Sequence, residues 1–121
     1  MLAFDTSAWL ARYLDSDARP VTVEAMKRHP KWCASSLVLA ESLVAMDRLG
    51  LARAEAETLE DQMRSDWDRV HQIPVDHRCL TAATLIARQH PARMIDALHL
   101  AAADRLPRPV NFLTHEPTQI P

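Results

Sequence analysis

Glycine is nearly absent from this sequence: Gly50 is the only one among 121 residues. A phosphate cradle of the Walker or Rossmann kind needs several glycines where backbone approaches ligand, so a nucleotide site of that type is excluded. Cysteine is almost as scarce. Cys33 and Cys79 stand far apart with no paired spacing, which excludes a disulfide framework and a four-ligand zinc site and leaves two reduced core residues. The six histidines are scattered, and none forms a His-Glu-x-x-His pattern. No apolar run approaches the ~20 residues of a membrane span. The amino terminus also lacks a basic segment followed by an apolar stretch and cleavage site. The expectation is a cytoplasmic protein with no membrane partner.

What is present is an apolar composition of 48% in a chain of single-domain length, expected to fold as one unit over residues 1–121 and to bury roughly two-thirds of its unfolded surface. A net charge of −2 argues against holding nucleic acid by bulk electrostatics. Twelve of the fourteen basic residues are nevertheless arginine, whose planar fork matches phosphate in a bidentate way.

Apolar runs and breakers give a coarse course for the chain. Met1 to Phe4 reads as a strand, followed by a helix from Ala8 to Leu14 that a hydroxyl of Thr6 or Ser7 can cap. Pro20 opens a helix through His29, and Trp32 to Ser35 forms a buried strand. Ser35 or Ser36 caps a helix from Leu37 to Met46 that is apolar nearly all round and therefore expected to be deeply buried. An amphipathic helix follows from Leu51 to Val70, then a strand from His71 to Val75 and helices over His77 to His90 and Met94 to Leu106. Pro107 and Pro109 precede a last strand, Val110 to Thr114. Strands alternating with helices predict an α/β fold: a three-layer α/β/α domain around a parallel sheet of about four strands. In such folds the site lies at the carboxyl ends of the strands. The three tryptophans read as core or interface anchors.

Three acids stand out. Glu41 interrupts the apolar helix, where an ionised carboxylate is costly without a partner. A cation would answer that cost, and so would a less buried helix edge. Asp5 sits at a strand-to-helix junction, where it either caps the helix or serves a site. Asp96 opens a late helix, where the dipole alone stabilises an acid. Gathered at one end of the sheet, these carboxylates would repel unless a cation neutralised them. Hard oxygen ligands select Mg²⁺ or Mn²⁺, the ions of metal-assisted phosphodiester hydrolysis. On the same late helix, His99 shares a face with Asp96 and can orient it, contact phosphate or simply pack, while Arg93 can clamp phosphate or balance local acids.

The segments Phe4-Asp5-Thr6-Ser7-Ala8, Ser35-Ser-Leu-Val-Leu-Ala-Glu41, Ile95-Asp96-Ala-Leu-His99-Leu-Ala-Ala and Phe112-Leu-Thr114-His-Glu116, taken in order and spacing, resemble PIN domains. The nearest likeness is to VapC-type toxins of bacterial toxin–antitoxin pairs, and it covers almost the whole chain. The resemblance implies a Mg²⁺- or Mn²⁺-dependent endoribonuclease, often homodimeric, that acts on RNA and is inhibited by a cognate antitoxin protein. It assigns Asp5, Glu41 and Asp96 to the metal site. It also places Glu116 where the family usually has a fourth acid, an Asp, which favours a water-mediated role for the longer side chain. Thr6 or Ser7 would then orient Asp5 or a metal-bound water.

Two other readings compete. A haloacid-dehalogenase-like phosphatase also begins with a strand ending in Asp, but it needs a second Asp two residues on, where Ser7 stands. The substitution at Glu116 motivates the other, a PIN-like scaffold that binds RNA or protein without cutting.

Overall fold

The computed structural model describes residues 1–116; positions 117–121 of the expected domain lie outside the described residues. Four short strands, β1 (Leu2–Phe4), β2 (Trp32–Ser35), β3 (Val70–Ile73) and β4 (Asn111–Leu113), form one parallel sheet in the order β3-β2-β1-β4. Leu2 lies opposite Trp32 on one side and Asn111 on the other, and Trp32 to Ser35 pair in turn with Val70 to Ile73. The chain therefore builds outward from β1 through β2 to β3, then crosses back to place β4 on the far side of β1. The junction of β1 and β4 is the topological switch point, outside whose carboxyl ends parallel sheets bind ligands.

Successive strand residues point to opposite faces, and the two faces differ in chemistry. On one, Leu2, Phe4, Trp32 and Ala34 meet the helices α1 (Thr6–Ala11), α2 (Ala18–Arg28), α3 (Leu37–Asp47) and α4 (Arg53–Trp67). The Phe4 ring stacks on Trp9 at 5.3 Å, and the Trp9 ring meets Tyr13 and Trp67 edge-on, each at 5.4 Å. On the other face, Cys33 and Ile73 meet α5 (His77–Gln89) and α6 (Met94–Asp104) through Cys79, Ala83, Ala97, Ala101 and Ala102. Small side chains let α5, α6 and the sheet approach closely. The expected α/β/α layering is what the chain adopts. All three tryptophans are core residues, and both cysteines are buried and unpaired. Among the described residues no helix is long and apolar enough to cross a membrane.

Local expectations need four corrections. The α1 cap is the Asp5 carboxylate, which accepts from the Ala8 N–H, because Asp5 alone combines an extended backbone with a side chain aimed at the helix start. Helix α3 is only half buried: Val38, Ser42 and Met46 face inward while Ala40 and Val44 face solvent. Its apolar outer side misled the periodicity argument, since composition alone does not say which side meets the sheet. Helix α4 ends at Trp67, and Val70 begins β3 instead of closing the helix, because pairing with Trp32 draws its backbone into the sheet. Helix α2 starts at Ala18, before Pro20, which leaves the proline within the first turn where its missing N–H costs nothing. Between α3 and α4 the single glycine, Gly50, has φ 68°, a conformation that other residues adopt at a cost.

Candidate active site

Asp5 follows β1 directly and is 1% exposed. Its Oδ1 accepts the Ser7 hydroxyl at 2.7 Å and the Ala8 N–H at 3.0 Å, and its Oδ2 accepts the Thr114 hydroxyl at 2.5 Å. Thr114 follows β4 directly, so the bond between Asp5 and Thr114 closes the switch point. The loop beyond is tied to the same hydroxyls: the His115 N–H donates to Ser7 Oγ at 2.9 Å and the Glu116 N–H to Thr114 Oγ1 at 3.0 Å. Two hydroxyls and one backbone N–H, drawn from the segments that follow β1 and β4, thus hold one carboxylate in a fixed orientation.

Glu41 reaches the site from α3 and Asp96 from the first turn of α6. Glu41 Oε1 accepts the Thr6 hydroxyl at 2.6 Å and the His99 Nε2–H at 2.6 Å. Its side chain keeps 31% exposure while His99 is 2% exposed, so Glu41 lies on a half-buried edge of α3, less deeply placed than the apolar run around it suggested. Burial raises its carboxyl, but the hydrogen bonds from His99 and Thr6, with the charges of His99 and Arg93, outweigh burial and hold it below the usual carboxylate range. His99 Nδ1 is buried with no hydrogen-bond partner among the described residues; the ring therefore offers only its Nε2 edge to the site. Asp96, 5% exposed, takes a forked contact from Arg93, Nε to Oδ2 at 2.9 Å and Nη2 to Oδ1 at 3.3 Å. These bonds and the Asp96 charge raise the Arg93 guanidinium further. His99 does not orient Asp96 as its spacing allowed: its Nε2 turns across the sheet edge to Glu41.

Asp5, Glu41, Asp96 and Glu116 line one cleft of about 530 Å³ together with Thr6, Ser7, Arg48 and Arg93, walled on its apolar side by Leu10, Ala40, Val44 and Ala45. Every residue singled out from the sequence for the site lines this cleft except His99, which lies behind Glu41. Sequence reasoning missed Thr114 and Arg48. Thr114 lay in the quoted motif, yet its role becomes visible only when β4 is known to neighbour β1.

The donor chemistry fits a hard divalent cation: carboxylates and hydroxyls without a thiol. Each of the three acids already accepts protein donors, and among the described residues no group of three or more His, Cys, Asp or Glu side chains is arranged to hold an ion. Asp5, Glu41 and Asp96 would have to exchange some of these donors for metal.

The sequence model of the PIN domain matches residues 2–107. Among solved structures, VapC20 of Mycobacterium tuberculosis, described as a sarcin–ricin loop cleaving toxin, matches with a TM-score of 0.69 at 19% identity, over 87% of this chain and 82% of the other. No curated protein matches the sequence significantly.

Proposed function

Because this chain belongs to the PIN domain family, we propose that its acidic cleft is the active site of a Mg²⁺- or Mn²⁺-dependent endoribonuclease, the toxin of a cytoplasmic toxin–antitoxin pair. Family membership supports nuclease chemistry as the general class; the metal, the RNA substrate, a cognate antitoxin and homodimerisation are the finer reading. One observation carries it. Four carboxylates, from the residue after β1, from α3, from α6 and from the loop after β4, line a single cleft at the switch point of the sheet, a concentration of like charge that a cation would offset.

In this reading Asp5, Glu41 and Asp96 would hold the cation, which would supply an activated water and charge stabilisation at the phosphate. Ser7 and Thr114 fix the Asp5 carboxylate, and Thr6 and His99 keep Glu41 ionised and aimed. Glu116, one methylene longer than aspartate, acts through water. Arg93 is 71% exposed in its side chain, so its guanidinium would be available at the mouth of the cleft to meet the scissile phosphate. The likeness in fold to an RNA-cleaving toxin supports RNA as substrate.

The protein donors that already occupy Asp5, Glu41 and Asp96 favour a second reading, a PIN scaffold that binds without cutting. Incubation of circular and linear RNA with Mn²⁺ separates the two. An endoribonuclease opens the circle and fragments the linear form; a scaffold leaves both intact, and its melting temperature does not respond to Mn²⁺.

A further inference from the structure

The end of the molecule opposite the acidic cleft carries a pocket of contrary charge. It lies at the amino-terminal edge of the sheet, where Trp32 opens β2 and Arg69 precedes β3. Arg12, Arg19, Lys27 and Arg69 line it against a single acid, Asp66, in a cavity of about 550 Å³. Helix α1 separates the two sites: Thr6 at its start lines the cleft and Arg12, its C-cap, lines the pocket, roughly 9 Å apart along the axis. In a chain of net charge −2 such a concentration of cations is a local departure.

Two of the cations are also built into place. The Arg69 guanidinium lies 3.9 Å from the centre of the Trp32 ring and that of Arg12 5.1 Å from it. The ring itself is pinned, its Nε1–H donating to the Met26 carbonyl at 2.9 Å and the His29 carbonyl at 3.1 Å. Asp66 is already occupied, accepting Arg12 Nε at 3.4 Å and the Tyr13 hydroxyl at 2.6 Å. Among the described residues, Arg19, Lys27 and Arg69 have no carboxylate within ion-pair distance, so three positive charges remain unneutralised around a concave space. Guanidinium groups held by stacking on an aromatic ring keep their N–H edges for an anion.

We propose that this pocket binds a mononucleotide through its phosphates, with Arg19, Lys27 and Arg69 as the phosphate donors. Its volume lies in the range of small-ligand sites, and Val23, Met26 and Pro30 on its wall give the nucleoside an apolar surface. The assignment stands independently of what the acidic cleft does.

Calorimetric titration of the full chain with ADP, in EDTA so that no metal bridges phosphate to the cleft, tests it. Lys27→Ala and Arg69→Ala should each weaken binding about tenfold, the scale of one lost charge-assisted hydrogen bond, while Arg93→Ala in the cleft leaves it unchanged. Lys27 is exposed, so its variant keeps the test valid if loss of Arg69 from Trp32 disturbs the fold. The proposal is overturned by absence of binding at millimolar ADP, by unchanged affinity in both pocket variants, or by loss of binding in Arg93→Ala. Pyrophosphate binding as tightly as ADP would overturn the nucleotide assignment, and an RNA tetramer displacing ADP at much lower concentration would make the pocket part of an RNA track instead.

Discussion

The two faces of the sheet are stabilised in opposite ways. On the face covered by α1 to α4, bulk fills space: Phe4, Trp9, Tyr13, Trp32 and Trp67 share one cluster. On the face covered by α5 and α6, alanines and cysteines bring backbones close, with no aromatic residue in the buried cluster. Each face also delivers a different part of the cleft. Thr6, Ser7 and Glu41 come from the aromatic side and Arg93, Asp96 and His99 from the alanine side, and the hydrogen bond from His99 to Glu41 joins them beyond the end of the sheet. The difference teaches that a core filled by aromatic bulk and one filled by small side chains can each carry positioning residues, with a polar contact tying the two together.

The largest effect should come from emptying the aromatic side. Trp9→Ala is expected to cost about 3–5 kcal/mol in urea unfolding, because Trp9 is fully buried against three other rings; a loss below ~1 kcal/mol would show that bulk is not what holds that face. The alanine side should fail in the reverse direction. Ala102→Leu, at a position with no exposure, is expected to destabilise by about 1–3 kcal/mol through overpacking, and a gain in stability would mean that the helices are not closely seated. The contact between the faces is next. A double-mutant cycle over Glu41→Ala and His99→Ala should give a coupling of about 1–3 kcal/mol, the scale of a hydrogen bond to a charged group; additive losses would mean that the faces stand independently.

The smallest effect contrasts two helix-capping aspartates. Asp5 caps α1 in the interior, whereas Asp76 caps α5 at the surface and keeps its side chain 44% exposed. The Cys79 backbone N–H, aided by Arg105 and opposed by desolvation, holds the Asp76 carboxyl below its usual value. A lowered folded value means that the contribution is complete above the unfolded pKa of about 3.9 and is lost as pH falls through the folded one. Asp76→Asn should therefore be the less stable protein at pH 6, with the difference shrinking as the pH drops below about 4. Urea midpoints for the two proteins at several pH values measure this, and a difference that grows with acid contradicts the assignment.

Much of this was legible because local patterns coincide with tertiary demands. Trp32 to Ser35 reads as a buried strand, and it is one. Asp5 and Asp96 stand out by their junction positions, Glu41 as an acid interrupting an apolar helix, and the structure brings all three to one cleft. What escaped the sequence depends on neighbours far along the chain. Thr114 acquires a role only because β4 pairs with β1, and His99 turns toward α3 and away from its helical neighbour Asp96. The outer side of α3 is apolar yet exposed at Val44, so periodicity could not place it. The basic pocket collects Arg12 from the end of α1, Arg19 and Lys27 from α2, and Arg69 from the turn before β3, three separate segments that no local spacing brings together.

The central claim, that the acidic cleft cuts RNA with a metal ion, is tested most directly by incubating a mixed RNA pool with the purified protein and Mn²⁺ beside EDTA-treated and Asp96→Asn samples. The account predicts discrete fragments from the untreated protein alone. Equal cutting by Asp96→Asn would contradict it, because Asp96 would then lie outside the site that performs the reaction.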